Sequence, residues 1–540
     1  MALETNPNLD IRWAEISTNV PPSNSPNKTE PLTRHKDAGW DWKEKPSFSR
    51  FNMWMNRVWK QVDWASDCID VLVPVLDLVI DEDLELHVST TGDDTTGDGT
   101  VSLPWATPQK AYEFLQGKIV PDGVTVTIRV AAGEYISSSS LNIGHPDGDR
   151  IFLVGEDLVG GKPYGMPIGD YSVDRNAPVV PAQGVNEFQN TAGTLPANSS
   201  APTRTTARSN DLAANEALIR SRYQTIFTFN NVSGINSVAG SGNVDKIAVL
   251  GTRTVGTVGI ACGGNPGAVA VTYGGHISVG TQVAVHGFHE GVIANVASSV
   301  LCDSVTVTGC SSSGLVSQFG GAMICRGSNI QGCDLDGIQN AAGGSMLMDG
   351  SVCSGNGRHG SSVRGSVQYI SSVTYPIGIT LSGNGNQGII VIGSAGASEG
   401  SNAVISGNGD NGIATQQGGS VLIKIGCSTV GNDGSGVLSA EGSVDISGNC
   451  LNNGGGGLVA LGSGSITTGD LVINNTNDDH TPGSGTNSGI ASIVYSEGQT
   501  SINIADAGVG NVGAGVTFSP AHGVVGNGSA INSFVQIPTL

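Results

Sequence analysis

Positive charge and large aromatic side chains are what this 540-residue chain has least of. Only 13% of its residues are charged, and 25 Lys and Arg stand against 46 Asp and Glu, a formal net charge of −21. The acidity runs the whole length, with 6 basic against 16 acidic residues from Asn231 onward. Such a balance excludes nucleic acid and anionic membrane surfaces as partners. No apolar run is long enough to insert in a membrane: "CIDVLVPVLDLVI" (Cys68–Ile80) is short and broken by Asp70, Pro74 and Asp77. The start, "MALETNPNLD", lacks the charged-then-apolar pattern of a secretion signal, which implies synthesis in a cytoplasm. Nine cysteines, at no metal-ligand or disulfide-scaffold spacing, imply a reduced compartment and no metal site. Nothing suggests a cofactor.

What is abundant is glycine, 80 residues against 22 prolines, which excludes collagen and fits many short strands joined by tight turns. The chain is too long for one compact core, so several domains or one elongated repeat are implied.

The repeat is visible in the turn "GN-x-x-x-G-[ILV]" and its variants. Their closing glycines are Gly291, Gly314, Gly337, Gly360, Gly388, Gly412 and Gly436, at intervals of 23, 23, 23, 28, 24 and 24 residues. Three short strands and three turns need about that length, so each interval predicts one rung of a parallel β-helix. A second marker, as in "GGAMICRGS", "GGSMLMDGS" and "RGSVQYISS", opens a strand with alternating apolar positions. The period sets columns. Cys302, Cys325 and Met348 should stack inward. Cys310, Cys333 and Asn356 share a turn column continuing as Asn384, Asn408 and Asn432, and asparagine there suits a left-handed turn residue and a hydrogen-bonded ladder. A calcium-binding nonapeptide roll is excluded by the period and by the lack of a recurring Asp at one offset.

Upstream, "LHVSTTGDDTTGDGTVSLPWATPQKAYEFLQ" reads as a strand, a Gly/Asp-rich turn and a short helix capped by Thr107 with Pro108 first. This stretch resembles the opening cap of pectate-lyase-like β-helix proteins, where a helix covers the exposed end. "VTVTIRVAAGEY" and "RIFLVGED" read as first-rung strands. Residues from Gly161 to Ser209 lack periodicity and form an excursion, followed by a short helix near Asp211–Arg220.

Between Phe51 and Val79 apolar residues recur at alternating steps of four and three, including Met55, Val58 and Val62. That heptad seam predicts a helical neck, or else one amphipathic helix packed on its own domain. Pro74 kinks or ends it.

Ahead of the seam, "IRWAEI…TEPLTRHKDAGWDWKEKPSFSRFNMWMNRV" resembles the N-terminal module of bacteriophage tail fibre and tailspike proteins, through Trp13, Pro31, Lys36, Gly39, Trp40, Glu44, Lys45, Pro46, Phe51, Asn52, Trp54 and Asn56. The resemblance implies attachment to proteins of the virion tail or baseplate, a virion location and a homotrimer that recognises the bacterial host surface. Docking would fall to Trp13, Trp40, Trp42, Pro46, Phe51 and Trp54, since large aromatics anchor interfaces.

Together these readings give an all-β fold, a right-handed single-stranded parallel β-helix with a short α-helical neck and a virion-anchoring segment. The expected division is attachment segment 1–45, trimerisation neck 46–83, cap and first rungs with a loop insertion 84–230, β-helix 231–500, and a C-terminal cap or trimerising region 501–540.

Proteins of this architecture either bind host glycan or cleave it, as endoglycosidases or lyases. A glycosidase needs two carboxylates. One outward column holds Asp303, Arg326 and Asp349, its acids about 9.6 Å apart by rung spacing. Another, before the turn glycines, holds Glu290, Ser313, Asp336 and His359. Asp303, Asp349, Glu290 and Asp336 are therefore the candidate catalytic acids, with Arg326 and His359 as binding partners. Both columns are equally read as structural ladders. Outside the rungs, "YGMPIGDYSVDR" concentrates Tyr164, Asp170, Tyr171 and Arg175 as a candidate binding loop. A non-viral surface adhesin is the remaining alternative.

Overall fold

Strands of four to five residues with a turn glycine on either side can bury their apolar side chains only by stacking rung on rung. The computed structural model has this arrangement. It describes residues 55–64, 78–159 and 201–474, with breaks at 239, 264–273, 281, 372–377, 394–395, 452, 455–456 and 462, and also residues 493–496 and 501–504. The chain divides into two compact units, Met1–Val79 and Ile80–Leu540.

In the first unit a helix, α1, spans 55–64 and carries Met55, Val58 and Val62 of the heptad seam. Trp59, Val62 and Trp64 are 61%, 54% and 63% exposed. The docking residues Trp13, Trp40, Trp42, Pro46, Phe51 and Trp54 lie outside the described residues, as does Pro74. No described helix is long and apolar enough to cross a membrane.

The second unit is a right-handed parallel β-solenoid of about 11 turns. Each turn visits three faces in order. In one turn these are Ser299–Asp303 on face 1, Thr306–Thr308 on face 2 and Leu315–Gln318 on face 3. The next visit to face 1 is Ala322–Arg326, paired in parallel and in register with Ser299–Asp303. Face 3 forms a separate 12-stranded sheet. Faces 1 and 2 merge near the C-terminal end, where single strands such as Ser420–Val430 run through both. The 28-residue interval arises between face 1 (Val367–Ser371) and face 2 (Ile379–Ser382), where the equivalent corner one turn earlier is the single residue Gly350.

The interior is one continuous column, mostly of aliphatic and sulfur side chains, with aromatic rings such as Phe227, Phe229 and Phe288 in its earlier rungs. Cys302, Cys325 and Met348 are register partners and fully buried, as the period predicts. Eight cysteines, from Cys262 to Cys450, are free and buried. The turn glycines answer to the same crowding. A Cβ on Gly314 would lie 2.3 Å from Ile330 Cγ2, and one on Gly337 would lie 1.9 Å from Cys353 Sγ.

The asparagine column corrects one expectation. The left-handed residue is the preceding glycine, with φ of 63°, 59°, 59° and 62° at Gly355, Gly383, Gly407 and Gly431. Each asparagine instead points inward, and Nδ2 of Asn356, Asn384, Asn408 and Asn432 donates to Oδ1 of the next member at 3.0, 2.9, 2.8 and 2.8 Å. The last acceptor is Asn453, one rung beyond the column read from the sequence.

The cap forms as its residues predict. A second helix, α2 (Pro108–Leu115), stands where the first turn would place faces 2 and 3, between face-1 strands Leu84–Val88 and Val126–Val130. Its Ala111, Tyr112 and Leu115 are buried in the solenoid core. Thr107 accepts the Lys110 amide, and Asp94 accepts the amides of Ala106 and Thr107 at 2.8 and 3.0 Å. Trp105, 3% exposed, donates from Nε1 to the Gly97 carbonyl at 2.9 Å.

A third helix, α3, occupies Ala201–Arg222 and is longer than the expected Asp211–Arg220. The supposed excursion therefore already turns helical at Ala201. Its C-terminal part packs on the outer side of face 2, where Ile219 and Tyr223 form a buried cluster with Ile226, Ala248, Leu250 and Ala284.

Candidate functional site

Alternation along a strand sends residues of one face-1 strand inward and their neighbours outward. The rungs from Ser299 to Ser371 thus present two parallel outward columns. Asp303, Arg326 and Asp349 are register partners, as the period predicts. Two positions earlier on the same strands, Leu301, Ile324, Leu347 and Tyr369 align in the same way. Ile324 is 37% and Tyr369 48% exposed, and Phe319, at the corner leading into this face, is 57% exposed. Beyond Asn231, Phe319 and Tyr369 are the exposed aromatic rings among the described residues, and both lie on this side.

Arg326 is exposed, whereas Asp349 is 4% exposed and Asp303 accepts the Ser304 hydroxyl at 3.4 Å. The surface is an apolar, partly aromatic stripe four rungs long with a mixed-charge edge. The stripe was missed in the sequence. Its signal is the middle residue of each strand marker, hidden because Leu and Ile there read as core.

The second column is differently placed. Asp336 is fully buried, and its Oδ1 accepts both Arg358 Nε at 2.7 Å and the His359 amide at 3.2 Å. Arg358 Nη2 takes the other oxygen at 2.5 Å, completing a bidentate pair. Ser313, also buried, donates to Gln339 Oε1 at 3.0 Å. The His359 side chain is 6% exposed, and burial pushes its imidazole down to about 4. Glu290 is half-buried at the start of its face-3 strand, and desolvation raises its carboxyl above the ordinary range. So this column contains one carboxylate sealed by an arginine and one whose ionisation burial opposes. Asp410 is the other described carboxyl that burial raises, and it sits five turns beyond Glu290 along the same set of corners.

Tyr164, Asp170, Tyr171 and Arg175 lie outside the described residues. Among the described residues, no group of three or more His, Cys, Asp or Glu side chains converges as a metal site would require.

No family model and no curated protein sequence matches the chain. Among solved structures, it is similar to the A-module of the mannuronan C-5 epimerase AlgE6 of Azotobacter vinelandii, at 14% identity, 69% of this chain, 91% of that chain and a TM-score of 0.37. It is also similar to pectate lyase Pel9A, at 12% identity, 81% of this chain, 82% of that chain and a TM-score of 0.30. For the catalytic domain of a GH87 alpha-1,3-glucanase the values are 10%, 77%, 69% and 0.32. Values this low carry no inference about activity.

Proposed function

We propose that the chain is a bacteriophage tail fibre or tailspike that holds to the virion tail or baseplate by its N-terminus and binds a host-surface glycan. The observation that carries the binding role is the face-1 stripe, Leu301, Ile324, Leu347 and Tyr369, beside the exposed Arg326 and the partly exposed Asp303. A sugar ring has an apolar C–H side and a rim of hydroxyls, so it needs an apolar platform with charged hydrogen-bonding groups at its edge. Two acids flanking one arginine, on a chain of net charge −21, favour an uncharged glycan. The attachment role rests on the resemblance of the Trp13–Asn56 motif. Trimerisation rests on the heptad seam and on Trp59, Val62 and Trp64, which α1 leaves exposed for partners.

Binding without cleavage is favoured because the acid columns are poorly placed for hydrolysis. Asp336 has both oxygens occupied by Arg358, and Asp349 is nearly enclosed. The depolymerase reading retains one specific observation, the raised carboxyl of Glu290, which suits a general acid. The two are separated by incubating the protein with a panel of purified bacterial capsule and lipopolysaccharide O-chain polysaccharides, then sizing the polymer. Co-elution with an unshortened polymer supports adhesion. Release of oligosaccharides that stops in Glu290→Gln would establish a depolymerase instead, and failure to bind any member would count against the glycan role.

A further inference from the structure

Between Val154 and Thr225 the solenoid is interrupted, and the chain returns to face 2 through α3. Ile219 and Tyr223 pack over the Ile226, Ala248 and Ala284 rungs. Leu212 Cδ1 lies over the Gly309 turn, 2.3 Å from where a Cβ there would stand. From Leu212 to Arg222 is about 15 Å of helix, and from the Thr225 rung to the Gly309 rung is about 14 Å of solenoid. The helix therefore runs back along the solenoid axis and straps successive face-2 rungs together.

The strap is not seated on apolar side chains alone. His286 points outward from face 2 beneath α3 and is only 2% exposed. Its Nδ1 lies 2.6 Å from Thr308 Oγ1 on the next rung. On α3, Asp211 and Asn215 are buried at 3% each. The charged groups that act on His286 are Glu216 of α3, which favours the imidazolium, and Arg220 of α3 and Arg253 of the adjoining corner, which oppose it. Glu216 and Glu134 are both engaged by Arg220, at 2.9 and 2.8 Å. Arg253 is paired with Asp334.

We propose that α3 is an acid-releasable strap, docked on face 2 only while His286 is neutral. Burial depresses the imidazole to about 4, whereas an exposed histidine titrates near 6.5, so the undocked helix binds the proton more readily. Docking is fully retained above about 6.5 and is lost by roughly tenfold per pH unit below it, levelling near the depressed value. Among the described residues the other buried histidines are His145, against the end of α2, and His359, in a rung corner, and neither lies beneath α3.

Hydrogen exchange of the full chain between pH 7.5 and 4.5, corrected for intrinsic rates, reads this directly. Protection of the Leu212–Arg222 amides should fall across that range while the amides of the face-1 strand Ala322–Arg326 hold. Glu216→Gln, on the half-exposed side of α3, should keep the dependence, because Glu216 favours the imidazolium and its loss only deepens the depression. His286→Gln should make α3 protection independent of pH. The strap is overturned if wild-type α3 protection is flat with pH, if the rungs lose protection in parallel, or if the glutamine at 286 leaves the dependence intact.

Discussion

Asn384 donates through Nδ2 to Oδ1 of Asn408 at 2.9 Å, and the backbone amide of Asn384 donates to the same oxygen at 3.1 Å. Asn408 repeats both bonds to Asn432, at 2.8 and 3.1 Å, and adds one from Nδ2 to the Leu381 carbonyl at 3.2 Å. Every polar atom of the side chain is thus used, and none is exposed. Asn408→Ala strands the backbone amide of Asn384 in the interior and takes one acceptor from its Nδ2, each costing about 1–3 kcal/mol, while Asn432 Oδ1 keeps the amide of residue 408. The expected result is a lower urea midpoint and loss of exchange protection centred on the Gly383–Asn432 rungs. An unchanged midpoint would show that the ladder is not what holds these turns.

Two glycines separate crowding from backbone strain. Gly337 faces Cys353 Sγ at 1.9 Å from its missing Cβ, whereas Gly343, with φ of 79°, has open space there. Gly343→Ala should cost about 1 kcal/mol, the usual penalty for a left-handed alanine. Gly337→Ala forces the interior apart and should cost several times more, about 3 kcal/mol. Thermal melting of the pair tests the ranking, and equal shifts would refute it.

Glu290 gives a pH-dependent prediction. Its folded carboxyl titrates above the unfolded one, so folding favours the protonated form. Below the ordinary glutamate range both states are protonated and the burden vanishes; as pH rises through the raised value, the folded state carries a poorly solvated charge. Glu290→Gln should therefore melt higher than wild type at pH 7 and at the same temperature below pH 4. A variant that melts lower at pH 7 would mean the carboxylate has a stabilising partner.

The rung period made most of this fold legible. Glycine spacing set the register that brings Cys302 onto Cys325 and Asp303 onto Arg326, because a one-residue slip would expose every core side chain. The cap was readable for a different reason. Thr107, Pro108 and the Asp-rich turn act locally, through hydrogen bonds to amides a few residues away. What stayed hidden depended on non-local contact. His286 looks like any strand residue until α3 lies over it, and Tyr369 gains its meaning only beside Ile324 and Leu347, 22 or more residues away in sequence. Asp336 had the reverse fate. Its turn position suggested an accessible acid, yet Arg358, one rung on, encloses it.

The face-1 stripe is the centre of the functional account, and one affinity measurement tests it most directly. Biolayer interferometry against an immobilised polysaccharide that the wild type retains should show Tyr369→Ala and Arg326→Ala each weakening binding by about tenfold, or about 1.4 kcal/mol. Both side chains are exposed, so the melting temperature should hold. Unchanged affinity in both variants, with the wild type still binding, would contradict the assignment of the glycan to this face.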